Sequence, residues 1–357
     1  MYHTLKMKRI FKTHLMKDSR IIHNWMLMTI SLTSLFLLFS CQRTKFQWEP
    51  GISAPKYYLV GDVKIDFGNA GHGSLTNFDN GWGNIYGAVS SGDIYKEAPK
   101  EVLIHYASCA ENYTYEGKVL LPQERIRSLF EKYDLDKKGK SGNLVVGMAP
   151  GGWIRVWFHT LDEKTNDLVN IEVAKAQLKG SYDDTANERY KVKNFKNWGK
   201  YYTYWQHHGI PYEAWANNEK EYDMYFDFNK PNKREIQFSY ISSDGTFYQG
   251  EQGDVGIKVH QKLPVQIEQM PWLAKSGSSY CCKAPFPKNF KKYIEQKKLR
   301  EIKFRLEIEK DDEHAIIYLI TGGTKEKIVR FKNKQPTQKE IKEVDYAYAT
   351  EVEYFIK

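Results

Sequence analysis

A glycine-rich turn followed by an aromatic strand is the most distinctive pattern of binding side chains in the sequence. Pro150, Gly151 and Gly152 form the turn, and Trp153 and Arg155 begin the run WIRVWF. Glycine enters positive φ at no steric cost, so the segment predicts a hairpin connection. One interpretation is a loop that binds a phosphate or a glycan, in which the tryptophan stacks and the arginine pairs with the ligand. The alternative is a buried strand after a tight turn, because apolar residues alternate along the run.

Acids and histidines are scattered rather than arranged in a catalytic motif. The chain contains neither Gly-x-Ser-x-Gly nor His-Glu-x-x-His. An envelope hydrolase acting on a glycan or peptide could still use acids such as Glu111, Asp134 or Glu213, if two carboxylates stood about 5–9.5 Å apart across a cleft. His207 and His208, taken as neighbours on a strand, would face opposite sides and rarely share a metal. We therefore expect no catalytic residue, no metal site and no cofactor.

The N-terminus has the pattern of an export signal that ends at Cys41. Six bases and one acid precede an uncharged apolar run at 26–39. This run is too short to cross about 30 Å of hydrocarbon but suits a signal peptide. It ends in Leu38-Phe39-Ser40-Cys41, which resembles the lipobox of bacterial lipoproteins, where a peptidase frees the cysteine and the thiol takes a lipid. We expect a signal peptide at 1–40 and a membrane anchor, with acyl chains such as palmitate, at Cys41.

The charge of the chain changes once this leader is removed. The whole chain has 53 Lys and Arg against 44 Asp and Glu, or +9, and removing six bases and one acid leaves 47 against 43, or +4. This modest charge argues against nucleic acid as a partner. Residues 41–55 are interpreted as a polar tether. Because 42–45 contain no acid, the protein is expected at the outer membrane, facing the periplasm.

Three further cysteines, Cys109, Cys281 and Cys282, remain in an oxidising compartment. An odd number allows one disulfide and one spare thiol. The disulfide would join Cys109 to one of the other two, or form between the adjacent pair.

Aromatic residues make up 15% of the chain, and short alternating runs predict a β-rich α+β fold. Two segments, 57–180 and 200–335, repeat the same order of strands, a short helix and three more strands, and 340–357 forms a C-terminal strand or tail. Helices are predicted at 122–132 and 287–297. A shared spacing of tyrosine, lysine and proline supports an internal duplication into two mainly antiparallel sheets, each with one packed helix: Tyr115, Lys118 and Pro122, and Tyr280, Lys283 and Pro287.

Several of these segments together resemble a known family. The strand at 102–111, Tyr115, the Leu121-Pro122 step with its helix, and residues 147–158 are similar to bacterial lipoproteins of domain of unknown function 2931, found in Bacteroidota. The resemblance is best over about 85–180. It implies a lipoprotein but supplies no reaction.

Two functions follow as expectations. The first is a non-catalytic binding or interaction module for an envelope protein or glycan, including an immunity-like protein that neutralises an incoming toxin, because aromatic faces serve sugars and protein hot spots alike. The second is the envelope hydrolase described above.

Overall fold

About half of the described residues form strands, which follow from the alternation of apolar and polar residues. In a computed structural model, residues 45–68, 71–87, 89–184, 195–228, 238–250 and 258–356 are described, and Phe46–Lys357 forms one compact unit. The predicted signal peptide and Cys41 lie outside the described residues. The predicted fold class is confirmed: the structure is β-rich, with mainly antiparallel sheets and a few short helices.

The first half contains two six-stranded sheets that share one core with the helix α1 (Gln123–Lys132). The strands and the helix contribute buried residues to this core, for example Trp48, Ile104 and Phe130. The strands are β1 (Phe46–Ser53), β2 (Val60–Asp66), β3 (His72–Phe78), β4 (Tyr86–Gly87), β5 (Val89–Ser91), β6 (Tyr95–Lys96), β7 (Glu101–Ser108), β8 (Tyr113–Leu120), β9 (Gly142–Ala149), β10 (Trp153–Asp162), β11 (Asp167–Gln177) and β12 (Gly180–Tyr182).

Two helices, α2 (Phe195–His208) and α3 (Tyr212–Ala216), connect this half to the second. The second half has its own core, to which α4 (Phe290–Lys297) contributes Phe290 and Ile294. Its strands are β13 (Glu221–Phe228), β14 (Ser239–Ser242), β15 (Phe247–Gln249), β16 (Lys258–Lys262), β17 (Pro264–Gln269), β18 (Trp272–Leu273), β19 (Ser279–Tyr280), β20 (Ala284–Pro285), β21 (Glu301–Ile308), β22 (His314–Thr321), β23 (Thr324–Lys332) and β24 (Thr350–Tyr354).

The central strands of the two halves have the same pairing order, although their sheets differ in strand number and β6 adds to the first sheet by pairing with β1. In the first, one sheet runs β11-β10-β9-β1-β4, and the other runs β12-β8-β7-β2-β3-β5. In the second, one sheet runs β16-β13-β21-β22-β23-β24, and the other runs β15-β14-β17-β20. Each half has one parallel pair, β1 with β9 and β13 with β21, and in each the helix precedes the second strand of that pair. The two halves are thus similar in topology, while their origin by duplication stays a prediction.

The tether predicted at 41–55 is wrong for most of its length. Residues 46–53 form β1, a central strand of the first sheet, and Phe46, Trp48 and Ile52 are fully buried. Pro50 and Gly51 suggested a linker, but Pro50 lies in a strand whose alternate residues face the core. At the other end, β24 pairs with β23 at the sheet edge, after a short helix α5 (Gln338–Glu343).

Candidate functional site

A polar cleft of about 650 Å³ opens where the two halves and α3 meet, and we call it the polar cleft. One wall comes from β10 and β11 of the first half and the other from the β14–β15 turn and β16 of the second. The aromatic core cluster that includes Tyr58, Tyr204 and Trp215 also contains two largely buried residues of the cleft lining, Trp82 and Trp157. The residues that define the cleft are Trp82, Asn84, Arg155, Trp157, Asn170, Glu172, Asn217, Asp244, Thr246 and Lys262.

Two tryptophans form the aromatic part of the cleft. The rings of Trp82 and Trp157 meet edge to face, with centroids 5.1 Å apart. Trp82 lies between two glycines with positive φ, Gly81 and Gly83, and its backbone N–H donates to the carbonyl of Gly245 at 2.9 Å. A loop of the first half is therefore fixed against a turn of the second, and this contact positions the indole.

Arg155 connects three parts of the structure at the cleft floor. Its side chain is 3% exposed; Nη1 lies 2.9 Å from the Glu172 carboxylate on β11, and Nη2 donates to the carbonyl of Trp215 at 2.8 Å. The planar guanidinium can serve both acceptors at once because its donors form a rigid fork. Arg155 therefore joins the β10–β11 wall to α3.

The opposite wall contains a second buried ion pair. Lys262 Nζ lies 2.5 Å from the carboxylate of Asp244 and 3.0 Å from the hydroxyl of Thr246. The Asp244 carbonyl in turn accepts the indole N–H of Trp215 at 2.8 Å. Trp215 is fully buried and so holds both walls, since it accepts from Arg155 and donates to Asp244.

The remaining polar lining of the cleft is largely uncharged. Asn84, Asn170 and Asn217 line it together with Thr246. Of the other two acids of the lining, Glu219 pairs with Lys291 at 2.7 Å, and Glu221 lies 3.4 Å from the ring of His260. Aromatic rings beside amides and compensated charges suit a polar, uncharged ligand.

The predicted binding loop is divided by the structure. Pro150–Gly152 forms a 3-10 turn between β9 and β10, and a Cβ on Gly152 would lie 2.2 Å from the carbonyl of Leu178. These glycines are therefore needed for close packing and do not line the polar cleft. Trp153 is half-buried outside the cleft, with the ammonium of Lys175 over its ring. Of the predicted loop residues, Arg155 alone lies in the cleft lining.

Glu111 fixes this turn rather than facing the cleft. Its carboxylate accepts from the Gly151 N–H at 2.9 Å, from Tyr115 at 3.1 Å and from Tyr212 at 2.7 Å. Burial and the neighbouring carboxylate raise the pKa of Tyr115 well above its usual value. The Tyr212 contact ties α3 to the first half.

The other acids proposed for a hydrolase do not converge with Glu111. Asp134 lies in the turn after α1, 2.7 Å from Lys137, and Glu213 accepts from Asn217 on exposed α3. Neither lines the polar cleft. The hydrolase residues predicted from the sequence therefore do not form a site.

His207 and His208 end a helix rather than lying on a strand. His208 Nε2 lies 3.0 Å from the side-chain oxygen of Gln266, and burial lowers the pKa of His208 to about 4. The ring of His207 packs near Tyr348, with centroids 5.2 Å apart.

The three cysteines are buried thiols, and the disulfide predicted from their number is not present among them. Cys109 packs beside Leu59 and Trp205, whereas Cys282 lies in the core of the second half. Burial raises the pKa of Cys281 to about 11, so this thiol stays protonated at neutral pH.

One group of potential metal ligands was not predicted. Oxygen and nitrogen atoms of Glu309, Asp311 and His314 lie within 4.8 Å of one another. The guanidinium of Arg330 donates two hydrogen bonds to the Glu309 carboxylate, at 2.7 and 2.9 Å. The two ring nitrogens of His314 are hydrogen-bonded to the carboxylates of Asp311 and Glu351. These contacts describe an ion-pair network on the surface of the second half.

Residues 37–213 match the family model described as protein of unknown function (DUF2931). The match ends at the second residue of α3 and so covers the first half and α2. No curated protein and no solved structure is detectably similar to the chain. Within the described residues, no helix has the length and apolarity needed to span a membrane.

Proposed function

The chain is a member of the DUF2931 family through residues 37–213, and we propose that this member is a lipid-anchored envelope protein that binds a neutral glycan in the polar cleft without catalysing its breakdown. The observation that carries the proposal is the Trp82–Trp157 pair set among amide and hydroxyl groups at the junction of the halves. Sugars present apolar C–H faces and many hydroxyls, which aromatic rings and amides bind respectively.

The charges of the cleft favour a neutral ligand over an anionic one. Its lining includes Arg155 and Lys262, and both already pair with acids. Four acids line the same space, so an incoming carboxylate or phosphate would have no unpaired cation to bind among the described lining residues. Like charges close together cost free energy in a site shielded from water.

The same ion pairs support binding over hydrolysis. A glycosidase needs two carboxyl groups that can reach the scissile bond. Asp244 and Glu172, which line opposite walls, are engaged by Lys262 and Arg155 at 2.5 and 2.9 Å. The residues of the cleft support glycan binding more directly than they support hydrolysis or an immunity-like role against a toxin.

Binding can be tested by titrating the purified full chain with neutral and acidic envelope oligosaccharides in a calorimeter. We expect a neutral oligosaccharide to bind and Trp157→Leu to weaken its binding by up to about tenfold, since stacking on one ring contributes about 0.5–1.5 kcal/mol. Trp153→Leu is the matched control, because it makes the same change on the same strand outside the cleft. Equal affinity of both variants, or no binding of any neutral glycan, would contradict the proposal.

The lipid anchor requires a separate test because Cys41 lies outside the described residues. We expect cells fed a palmitate analogue to label the wild-type chain and not Cys41→Ser, and the globular part to survive protease treatment of intact cells. Cleavage by protease without permeabilisation would overturn the periplasmic orientation while leaving the anchor intact. Equal labelling of both chains would overturn the anchor.

A further inference from the structure

A second concave region of very different character lies on the second half. Two adjoining cavities of about 480 and 540 Å³ share His207, His208, Phe286, Pro287 and Lys288 in their lining. We call the two together the apolar trough. Its other apolar side chains come from β17, α4 and the C-terminal strand: Leu263, Val265, Phe290, Val352, Tyr354 and Ile356.

Diverging segments create this trough. Backbone hydrogen bonds join Lys283 to Ala347 and Ala349, which holds the chain before β20 beside the chain before β24. Beyond this point Phe286 donates its N–H to Val265, whereas residues 350–354 pair with β23 in the other sheet. The two segments therefore separate, and apolar side chains line the space between them.

The charge of the trough is mainly positive among its described lining residues. Its only described acid is Glu219, which is paired with Lys291 at 2.7 Å. Lys288 is exposed at the junction of the two cavities, and no ion pair holds its ammonium among the described residues. His208 contributes no charge near neutral pH, because burial lowers its pKa to about 4. One unpaired cation thus stands beside an elongated apolar surface.

We propose that the apolar trough binds a single acyl chain that carries one anionic head group, with the head group at Lys288 and the chain along Phe286, Val352 and Ile356. An apolar concave surface with one polar anchor point is the usual composition of a small-molecule site. The anionic head group distinguishes this ligand from the neutral ligand proposed for the polar cleft, where Arg155 and Lys262 are both paired with acids. The proposal does not rest on glycan binding.

The test is a fluorescent fatty acid titrated into the full chain in a nonionic detergent, with unlabelled palmitate as competitor. We expect saturable binding that palmitate displaces and that Lys288→Glu weakens about tenfold through loss of the head-group contact. Lys292→Glu is the matched control, because it reverses a neighbouring exposed charge on α4 outside the trough. The detergent is the same in every arm, so partition of the probe cancels.

A second variant and a second ligand complete the test. Val352→Trp fills the trough along the proposed path of the chain and should abolish binding while circular dichroism shows the wild-type fold. Hexadecanol, which has the chain without the charge, should compete at least tenfold more weakly than palmitate. A single-chain phospholipid with an anionic head group distinguishes a membrane lipid from a free fatty acid by which of the two competes better. Binding that is unchanged in both Lys288→Glu and Val352→Trp, or absent from the wild-type chain, would overturn the proposal.

Discussion

Arg155 offers the sharpest test of how the cleft is held together. Its guanidinium is 3% exposed and bonds at the same time to Glu172 on β11 and to the carbonyl of Trp215 on α3. Replacement by methionine keeps most of the aliphatic part of the side chain and removes the guanidinium with both bonds. The change therefore leaves one carboxylate and one buried carbonyl without their partner.

The magnitude follows from the burial of each group. Breaking a fully buried ion pair costs about 3–5 kcal/mol, but Glu172 is 34% exposed, so water recovers part of that cost. The Trp215 carbonyl is buried, and an unsatisfied acceptor of this kind costs about 1–3 kcal/mol. We expect Arg155→Met to lower the free energy of unfolding by about 3 kcal/mol. Arg155→Lys keeps the charge but not the fork, and should lose about 1–2 kcal/mol.

Urea unfolding followed by tryptophan fluorescence measures these differences. A double-mutant cycle with Glu172→Met should give a coupling energy of about 1–2 kcal/mol between the two side chains. Arg127→Met is the control, since Arg127 pairs with Glu124 at the same 2.9 Å on the exposed face of α1 and should change stability by less than about 0.5 kcal/mol. Similar losses for Arg155→Met and Arg127→Met would refute the claim that burial makes the cleft pair strong.

Three further predictions use the same stability assay or its pH dependence. Glu111→Gln should cost about 1–3 kcal/mol and speed hydrogen exchange at the turn amide that Glu111 holds, because three bonds lose their charged acceptor; Glu116→Gln, on an 80% exposed side chain, should do neither. Burial lowers the pKa of His208 from 6.5 to about 4. As the pH falls, the imidazole is therefore protonated at a higher pH in the unfolded chain than in the folded one. Stability should therefore fall as pH drops from about 6.5 to 4, by up to about 3 kcal/mol, and His208→Gln should lack this component. Gly152→Ala should cost at least about 2 kcal/mol more than Gly68→Ala, since both glycines have positive φ but only the first is crowded; equal melting temperatures for these two would contradict the packing argument.

Helices and strands were predicted correctly from the sequence where a single local pattern, such as hydrophobic periodicity, marked them. The helix after Pro122 and the strands of both halves follow from periodicity. Helix α2 was missed because its tyrosines and tryptophans favour strands by propensity. Yet Tyr201, Tyr204, Trp205 and His208 have the spacing of one helical face, which was the signal available. Strand β1 was missed because a proline and a glycine within it suggested a linker.

The polar cleft could not be predicted from local sequence patterns, for a different reason. Its aromatic pair joins Trp82 to Trp157, and its ion pairs meet across α3, so the site depends on contacts far apart in the chain. The Gly-Trp-Gly-Asn run at 81–84, which contains Trp82 and Asn84, was one local signal for the cleft. Arg155 was identified from the sequence, but as part of a loop rather than as the support of the cleft floor.

The extent of the family match bears on which part of the cleft determines ligand choice. Residues 37–213 include Trp82, Arg155 and Trp157, whereas Thr246 and Lys262 lie on the wall that the match does not cover. The cleft is therefore composite, with the aromatic pair supplied by the family domain and half of its polar lining by the second half. A ligand whose affinity falls in Trp157→Leu but not in Thr246→Ala would bind the family domain alone. Loss of affinity in both variants would mean that the second half, which repeats the topology of the first, contributes to recognition in its own right.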